Sequence, residues 1–188
     1  MTTANATDSQ TDNAATPLHR SQNATVLLSG GLDSVTCLYW AKKRYATVTA
    51  VSFNYGQRHN SELVAAKSIA DTAKVDHRII DIDIAQLGGS SLTDHSMTVP
   101  DGDADNLPTK RRDQIDNDAI PNTYVPARNT IFLSYALAVA EVTDSNHIVI
   151  GVSSVDYSGY PDCRPEYIAA FEHMANLATK AGVTGHHL

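Results

Sequence analysis

Two adjacent glycines flanked by hydroxyl and carboxylate side chains follow the first apolar run of the chain, in the sequence LLSGGLDS (residues 27–34). Because glycine has no Cβ, such a pair lets the backbone turn tightly and bring its N–H groups close to an anion. Ser29 and Ser34 add hydroxyl donors, and Asp33 can orient the loop or hold the magnesium that accompanies a nucleoside triphosphate. The lysine of a Walker A loop and the third glycine of the dinucleotide fingerprint are missing. The stretch therefore predicts a pyrophosphate-binding loop, with an ordinary strand-to-helix turn as the alternative.

Three further segments carry side chains that can bind a small ligand. SFNYGQRHNSE (52–62) offers stacking, hydrogen bonds and charge for adenine and ribose, with a plain polar strand end as the alternative. In NTYVPARNTIFLS (122–134), Arg128 stands just before a helix pattern and can reach phosphates or a substrate carboxylate, or make a surface contact. GVSSVDYSGYPDCRPE (151–166) combines tyrosines with paired polar groups. This combination suits a flat, hydrogen-bonding heterocycle.

The elements that must position these loops alternate along the chain. Apolar and β-branched runs predict strands at 24–29, 47–56, 77–84 and 147–152. Helical spacing predicts four helices. The first is capped at Asp33 or Ser34 and the second near Asn60 or Ser61. The third spans 129–142, and the fourth begins at Pro165. Strands separated by helices predict an α/β fold, a Rossmann-like parallel sheet flanked by helices. Ligands of such sheets bind at the carboxyl ends of the strands, where all of these loops lie.

Composition limits the class of protein. The 188 residues suit one domain, and a net charge of -7 argues against a protein that coats nucleic acid. Two cysteines are too few for a disulfide framework, and no apolar run reaches the length that spans a bilayer. We expect a cytoplasmic protein with a small-molecule substrate, no membrane contact and no direct nucleic-acid contact.

The chain is divided by two polar segments. Residues 1–23 are rich in Thr, Asn, Ala and Asp, which predicts a disordered N-terminal tail before a nucleotide-binding domain at 24–188. Residues 93–122 are rich in Asp, Asn and Pro and interrupt the alternation of strands and helices. This composition predicts a flexible excursion from the domain.

The motifs resemble a known family. SGGLDS resembles the pyrophosphate loop of the N-type ATP pyrophosphatases, and LLSGGLDSVTCL, FNYGQRH, VPARNTIFLS and VDYSGYPDCRPE together resemble the 7-cyano-7-deazaguanine synthases of queuosine biosynthesis. The resemblance runs from about Thr25 to about Gly182. It implies an adenine nucleotide alpha hydrolase-like fold, ATP and Mg²⁺, and a possible homodimer. It also implies a carbon-nitrogen ligase that converts 7-carboxy-7-deazaguanine and free ammonia to the nitrile through adenylated intermediates.

The resemblance also implies roles for particular residues. Asp33, Ser34 and Arg128 are expected to be catalytic. The expected ATP-binding residues are Leu28, Ser29, Gly30, Gly31, Leu32, Asp33, Ser34, Val35, Thr36, Cys37 and Leu38. The expected substrate-binding residues are Asp156, Tyr157, Ser158, Tyr160, Asp162 and Arg164.

The sequence departs from the family pattern at its end. Members of the family end in a segment with four cysteines that bind Zn²⁺, whereas this chain has two cysteines and ends at AGVTGHHL. We therefore expect an incomplete C-terminus with no metal ligands for that zinc. Two alternatives remain open: another adenylating enzyme of tRNA modification from the same superfamily, and a nucleotide-binding module that has lost catalysis.

Overall fold

The structure is a computed structural model that describes residues 19–56, 61–84, 86, 90, 124–152 and 160–186. Within these residues the strands are β1 (His19–Leu27), β2 (Tyr45–Asn54), β3 (Asp76–Asp81) and β4 (Ser145–Val149). The helices are α1 (Leu32–Lys42), α2 (Ser61–Ala73), α3 (Arg128–Val142), α4 (Pro165–Ala178) and α5 (Lys180–Val183). A 3₁₀ turn, Pro161–Cys163, precedes α4.

The four strands form one parallel sheet in the order β3-β2-β1-β4. Val26 of β1 lies between Ala50 of β2 and Val149 of β4. Strands β2 and β3 follow one another on one side of β1, whereas β4 lies on its other side. The direction in which strands are added therefore reverses at β1. In open α/β sheets the ligand crevice lies at such a reversal, outside the carboxyl ends of the strands. The predicted α/β fold with a parallel sheet is confirmed.

The alternation of side chains along β1 divides the core between the two faces of the sheet. Val26 and Leu28 pack with Leu38 on the face covered by α1 and α2. Leu27 lies on the opposite face, in the cluster that includes residues of α3 and α4. The helical alanine pattern predicted for α2 is also confirmed, because Ala66, Ala70 and Ala73 are all buried against the sheet.

Strand β1 begins inside the segment that was expected to be a disordered tail. Asn23 pairs with Thr47 of β2 and Ser145 of β4, and its side-chain amide donates to the Asp144 carbonyl oxygen at 3.2 Å. Pairing on both sides satisfies the backbone, so these polar residues extend the strand despite their low apolar content. The boundary predicted at residue 23 is therefore wrong, since the strand starts at His19. Residues 1–18 and the predicted excursion at 93–122 lie outside the described residues.

The helix starts partly differ from the predictions. Helix α1 begins at Leu32 with Gly31 as its N-cap, so the caps predicted at Asp33 or Ser34 are wrong. Ser34 instead bonds back to the glycine loop. Helix α4 begins at Pro165, as predicted, because proline suits the first helical turn. No helix in the described part of the chain has the length and apolar character needed to cross a membrane.

Candidate functional site

A cavity of about 320 Å³ opens at the carboxyl ends of β1, β2 and β4. Its walls include Ser29 and Ser52 near two strand ends, and residues from the first turns of three helices. These are Asp33 and Ser34 of α1, Glu62 and Leu63 of α2, and Arg128 and Asn129 of α3. The structure thus brings together the three residues expected to be catalytic, Asp33, Ser34 and Arg128, at the edge of the sheet where parallel α/β folds bind ligands.

The Ser34 hydroxyl organises the glycine loop. Its oxygen accepts the N–H groups of Ser29 and Gly30, each at 3.2 Å, and the Ser29 hydroxyl at 3.1 Å. It donates its own hydrogen to the Gly31 carbonyl oxygen at 2.8 Å. Two backbone N–H groups of the loop therefore bind an internal hydroxyl. The loop is a preformed turn whose shape depends on Ser34.

Gly30 lets this loop lie directly on α2. Its φ is +93°, which side chains other than glycine rarely adopt. A Cβ at this position would lie 2.3 Å from the Glu62 carbonyl oxygen and 3.0 Å from the Ala66 nitrogen. The neighbouring Gly31 has a φ of -77°, and its nearest contact for a Cβ is the Ser29 hydroxyl oxygen at 3.5 Å. The two glycines therefore have different tasks, and Gly30 alone is required by close packing.

The start of α1 presents free backbone donors beside this loop. Gly31 at the N-cap has no side chain to accept from the first turn, and Val35 is the first helical residue to donate back, to the Gly31 carbonyl oxygen at 3.1 Å. Among the described residues, nothing accepts the N–H groups of Leu32, Asp33 and Ser34. Uncapped N–H groups and the helix dipole together favour an anion at this point.

Helix α3 starts differently, because a carboxylate of the chain occupies its N-terminus. The Asp162 Oδ2 atom accepts the backbone N–H of Asn129 at 3.0 Å. The Asn129 side-chain amide donates to the Asp162 carbonyl oxygen at 3.0 Å and to the Cys163 sulfur at 3.3 Å. Asp162 and Asn129 are 6% and 5% exposed, so the junction is closed to water. An external anion therefore finds free helix-terminal donors at α1 and not at this position of α3.

An aromatic wall lies on the α3 side of the cavity. Phe53 and Phe132 stack with their ring centroids 4.2 Å apart and their planes at 7°, and Tyr55 lies 5.3 Å from Phe132. Tyr160, whose ring is 5.8 Å from that of Tyr124, lines the cavity as well. Flat apolar faces beside polar helix ends form a surface on which a heterocycle can stack.

A polar link crosses the sheet beneath the cavity. The Ser52 hydroxyl donates to the Leu28 carbonyl oxygen, and its oxygen lies 2.8 Å from the His77 Nε2 atom. Because the single hydroxyl hydrogen goes to Leu28, the Nε2–H group of His77 is the donor to Ser52. Burial lowers the pKa of His77 from its ordinary value of 6.5, since the charged form is poorly solvated there.

The predicted ATP-binding residues separate into two groups. Leu28, Ser29, Asp33 and Ser34 line the cavity. The structure places the other side chains elsewhere: Leu38 is buried in the core, Val35 and Cys37 pack against it, and Leu32 and Thr36 are exposed. Burial raises the pKa of the Cys37 thiol, and the nearby Asp33 carboxylate raises it further. The Cys37 side chain packs against the hydrophobic core between the sheet and α1.

The predicted substrate-binding residues are only partly brought together. Tyr160 lines the cavity, whereas Asp162 lies buried behind it and bonds to Asn129. Arg164 is exposed as the N-cap of α4. The predicted residues Asp156, Tyr157 and Ser158 lie outside the described residues.

Sequence reasoning gave no role to several residues of this site, among them Gly151 and Phe132. A Cβ on Gly151, just after β4, would lie 3.1 Å from the Asp33 carbonyl carbon and 3.3 Å from its Cβ, so the glycine lets the start of α1 approach the end of β4. A glycine directly after the apolar run HIVI was the available signal. No local sequence signal pointed to Phe132, because its stacking partner Phe53 is remote along the chain.

The residues present fit Mg²⁺ bound together with a nucleotide. Asp33 and Glu62 are carboxylates on the cavity wall, and Mg²⁺ is usually held by one or two carboxylates plus substrate phosphates. Zn²⁺ is a different case. The described residues contain no group of three or more His, Cys, Asp or Glu side chains that could hold a metal ion, and we derive no step through zinc.

Comparison with known proteins places this chain in a family. The family model of queuosine biosynthesis protein QueC matches residues 23–186. A curated 7-cyano-7-deazaguanine synthase from Psychrobacter cryohalolentis is 86% identical over 181 residues, which cover 96% of this chain and 70% of that protein. The protein of the same name from Acinetobacter baylyi is 63% identical over 86% of this chain and 65% of its own length.

A solved structure gives a weaker likeness. The "predicted subunit of tRNA methyltransferase" from Methanocaldococcus jannaschii has a TM-score of 0.48 and 18% identity, covering 82% of this chain and 64% of that one. This likeness is too low to support an argument. The family rests on the sequence matches, and by these the chain belongs to the family of queuosine biosynthesis protein QueC, whose matched curated members are named 7-cyano-7-deazaguanine synthase.

Proposed function

We propose that the chain is an ATP-dependent ligase that converts 7-carboxy-7-deazaguanine and ammonia to 7-cyano-7-deazaguanine. The observation that carries this proposal is the pairing of two surfaces in one cavity: an uncapped helix start beside the glycine loop, and an aromatic wall opposite it. The first suits the phosphates of ATP, and the second suits the flat deazaguanine ring. The names of the matched relatives give the product, 7-cyano-7-deazaguanine, and the family resemblance gives the carboxylate substrate and ammonia.

The chemistry requires that a carboxylate, which is a poor electrophile, be activated. A carboxylate oxygen attacks the α-phosphorus of ATP and pyrophosphate leaves, which gives an acyl adenylate. Ammonia attacks the carbonyl carbon and AMP leaves, which gives the amide. A second ATP adenylates the amide oxygen with loss of pyrophosphate, and departure of AMP with loss of the remaining proton gives the nitrile. One phosphate site serves both activations.

The residues of this chain act mainly by electrostatics. The N–H groups of Leu32, Asp33 and Ser34 have no acceptor among the described residues, and we assign them to the leaving pyrophosphate. The Asp33 carboxylate is the proposed ligand for Mg²⁺, which neutralises phosphate charge when it is bound. Arg128 is the only cationic side chain that lines the described cavity, and we assign it to the substrate carboxylate or the α-phosphate.

The remaining roles follow from the same geometry. All five residues Leu28, Ser29, Tyr55, Phe132 and Tyr160 line the cavity. We assign Leu28 and Ser29 to the phosphates of ATP, and the three aromatic rings to the heterocycle. A homodimer stays a prediction from the resemblance, and a cytoplasmic location stays a prediction from the composition. Sedimentation of the purified chain tests the first.

The experiment that tests the function is product analysis by mass spectrometry. The purified chain is incubated with 7-carboxy-7-deazaguanine, ATP, Mg²⁺ and ammonium, with separate controls that omit ATP or replace ammonium by glutamine. We expect nitrile only when both ATP and ammonium are present. ATP binding without any product would instead support a non-catalytic nucleotide-binding module and contradict the proposal.

A further inference from the structure

One buried junction behind the cavity joins the 3₁₀ turn before α4 to the start of α3. Asp162 accepts the Asn129 backbone N–H, and the Asn129 side chain donates to the Asp162 carbonyl oxygen, both at 3.0 Å. The two residues are 33 positions apart in the chain. Asn129 lines the cavity, whereas Asp162 does not. Asp162 therefore contacts the site from behind, through α3.

The start of α3 needs such support. Ala127, its N-cap, has a φ of +54°, a left-handed conformation that a residue with a Cβ adopts at a cost of about 1 kcal/mol or more. The Ala127 N–H donates to the Tyr124 hydroxyl at 2.9 Å. The backbone N–H groups that follow Ala127 along the chain are those of Arg128 and Asn129. A strained backbone persists only where its surroundings hold it. The Asp162 carboxylate stabilises this backbone through its hydrogen bond to the Asn129 N–H, and its negative charge is favourable at a helix N-terminus.

We propose that Asp162 is a positioning residue that acts through Arg128. By capping α3 it fixes the direction in which Arg128 enters the cavity, and by its place in the 3₁₀ turn it fixes Tyr160 and Cys163 relative to that arginine. This inference rests on the proposed function, because it assigns Arg128 to the reacting groups. It replaces the expectation that Asp162 contacts the substrate directly.

The test is a double-mutant cycle on the full chain. Asp162→Ala should lower kcat by about 10- to 100-fold, since a small displacement of a catalytic group has effects of that order. Asp162→Asn keeps an acceptor oxygen in the same place and should restore most of the loss. The KM for ATP should change less than kcat in either variant, because the N–H groups assigned to the pyrophosphate lie at the start of α1, away from this junction. Glu166→Gln, an exposed acidic residue on the same segment, is the matched control.

The cycle separates positioning from general stability. In an Arg128→Ala background, Asp162→Ala should lower kcat by less than about twofold further, because the group that Asp162 positions is already gone. Multiplicative losses in the double variant, or an unchanged kcat in Asp162→Ala, would overturn the proposal.

A second readout does not need turnover. Amide hydrogen exchange at Asn129 should be about tenfold faster in Asp162→Ala than in the unmodified chain, which is the value of one hydrogen bond. Exchange at Val139, near the C-terminal end of α3, should be unchanged. If the unmodified chain makes no nitrile, the proposed function fails, while this exchange result alone decides the capping role of Asp162. Equal exchange at Asn129 in both proteins would refute it.

Discussion

The Ser34 hydroxyl oxygen lies 3.2 Å from the Gly30 backbone nitrogen and accepts its hydrogen, so that the side chain of a helical residue holds the glycine loop that precedes the helix. The same oxygen holds the Ser29 N–H. The loop that we propose to bind phosphate is thus shaped by contacts within the chain. This preorganisation is what electrostatic catalysis requires.

Removing that hydroxyl should loosen the loop. Ser34→Ala leaves the Ser29 and Gly30 N–H groups without their internal acceptor, and the Gly31 carbonyl oxygen keeps only the Val35 N–H. The free energy of unfolding should fall by about 1–2 kcal/mol. The affinity for ATP should fall as well. Urea unfolding and calorimetric titration with ATP measure both effects. Thr36→Ala is the control, because this exposed hydroxyl bonds only to its own helix at Leu32. Equal behaviour of the two variants would contradict the bracing role of Ser34.

The two glycines should differ in their tolerance of a methyl group. Gly30→Ala should lower the free energy of unfolding by more than about 2 kcal/mol, because it combines a positive φ with a clash against the α2 backbone. Gly31→Ala should cost about 1 kcal/mol or less, since its φ is ordinary and its nearest contact is 3.5 Å away. Thermal and urea unfolding compare the pair. Similar losses for both would show that the close approach to α2 is not required.

Asp33 should matter for chemistry and not for folding. Its side chain is exposed at the cavity, so Asp33→Ala should abolish ATP-dependent product and leave the unfolding midpoint unchanged. The control is Asp71→Ala, which removes an exposed carboxylate on α2. This variant should leave product formation and the unfolding midpoint unchanged. Full turnover by Asp33→Ala would remove Asp33 from the proposed magnesium site.

The partly buried His77 predicts a pH dependence of stability. Its pKa is lowered in the folded chain and returns to about 6.5 on unfolding, so the unfolded state binds more protons between these two values. The free energy of unfolding should therefore fall as pH decreases below about 6.5, until the folded-state pKa is reached. His77→Gln should flatten this fall, whereas His173→Gln on the exposed side of α4 should not. Urea unfolding at pH 7.5 and 5.5 gives the comparison, and an unchanged slope in His77→Gln would contradict it.

Local patterns predicted the elements well and the contacts between them poorly. The spacing of Ala66, Ala70 and Ala73 is written within one helix, so their burial could be predicted from sequence alone. The contact of Gly151 with Asp33 and the junction of Asn129 with Asp162 join distant parts of the chain, and no local spacing encodes them. The start of β1 was misjudged because its polar residues are held by pairing with two neighbouring strands.

The central claim is that the chain activates a carboxylate by adenylation in this cavity. The most direct measurement follows the oxygen atoms of 7-carboxy-7-deazaguanine labelled with ¹⁸O in its carboxylate, in a reaction with ATP, Mg²⁺ and ammonium. We expect the label to appear in AMP, in step with nitrile formation, because each departing oxygen leaves bound to the α-phosphorus. Label found in inorganic phosphate, or nitrile formed without any labelled AMP, would contradict it.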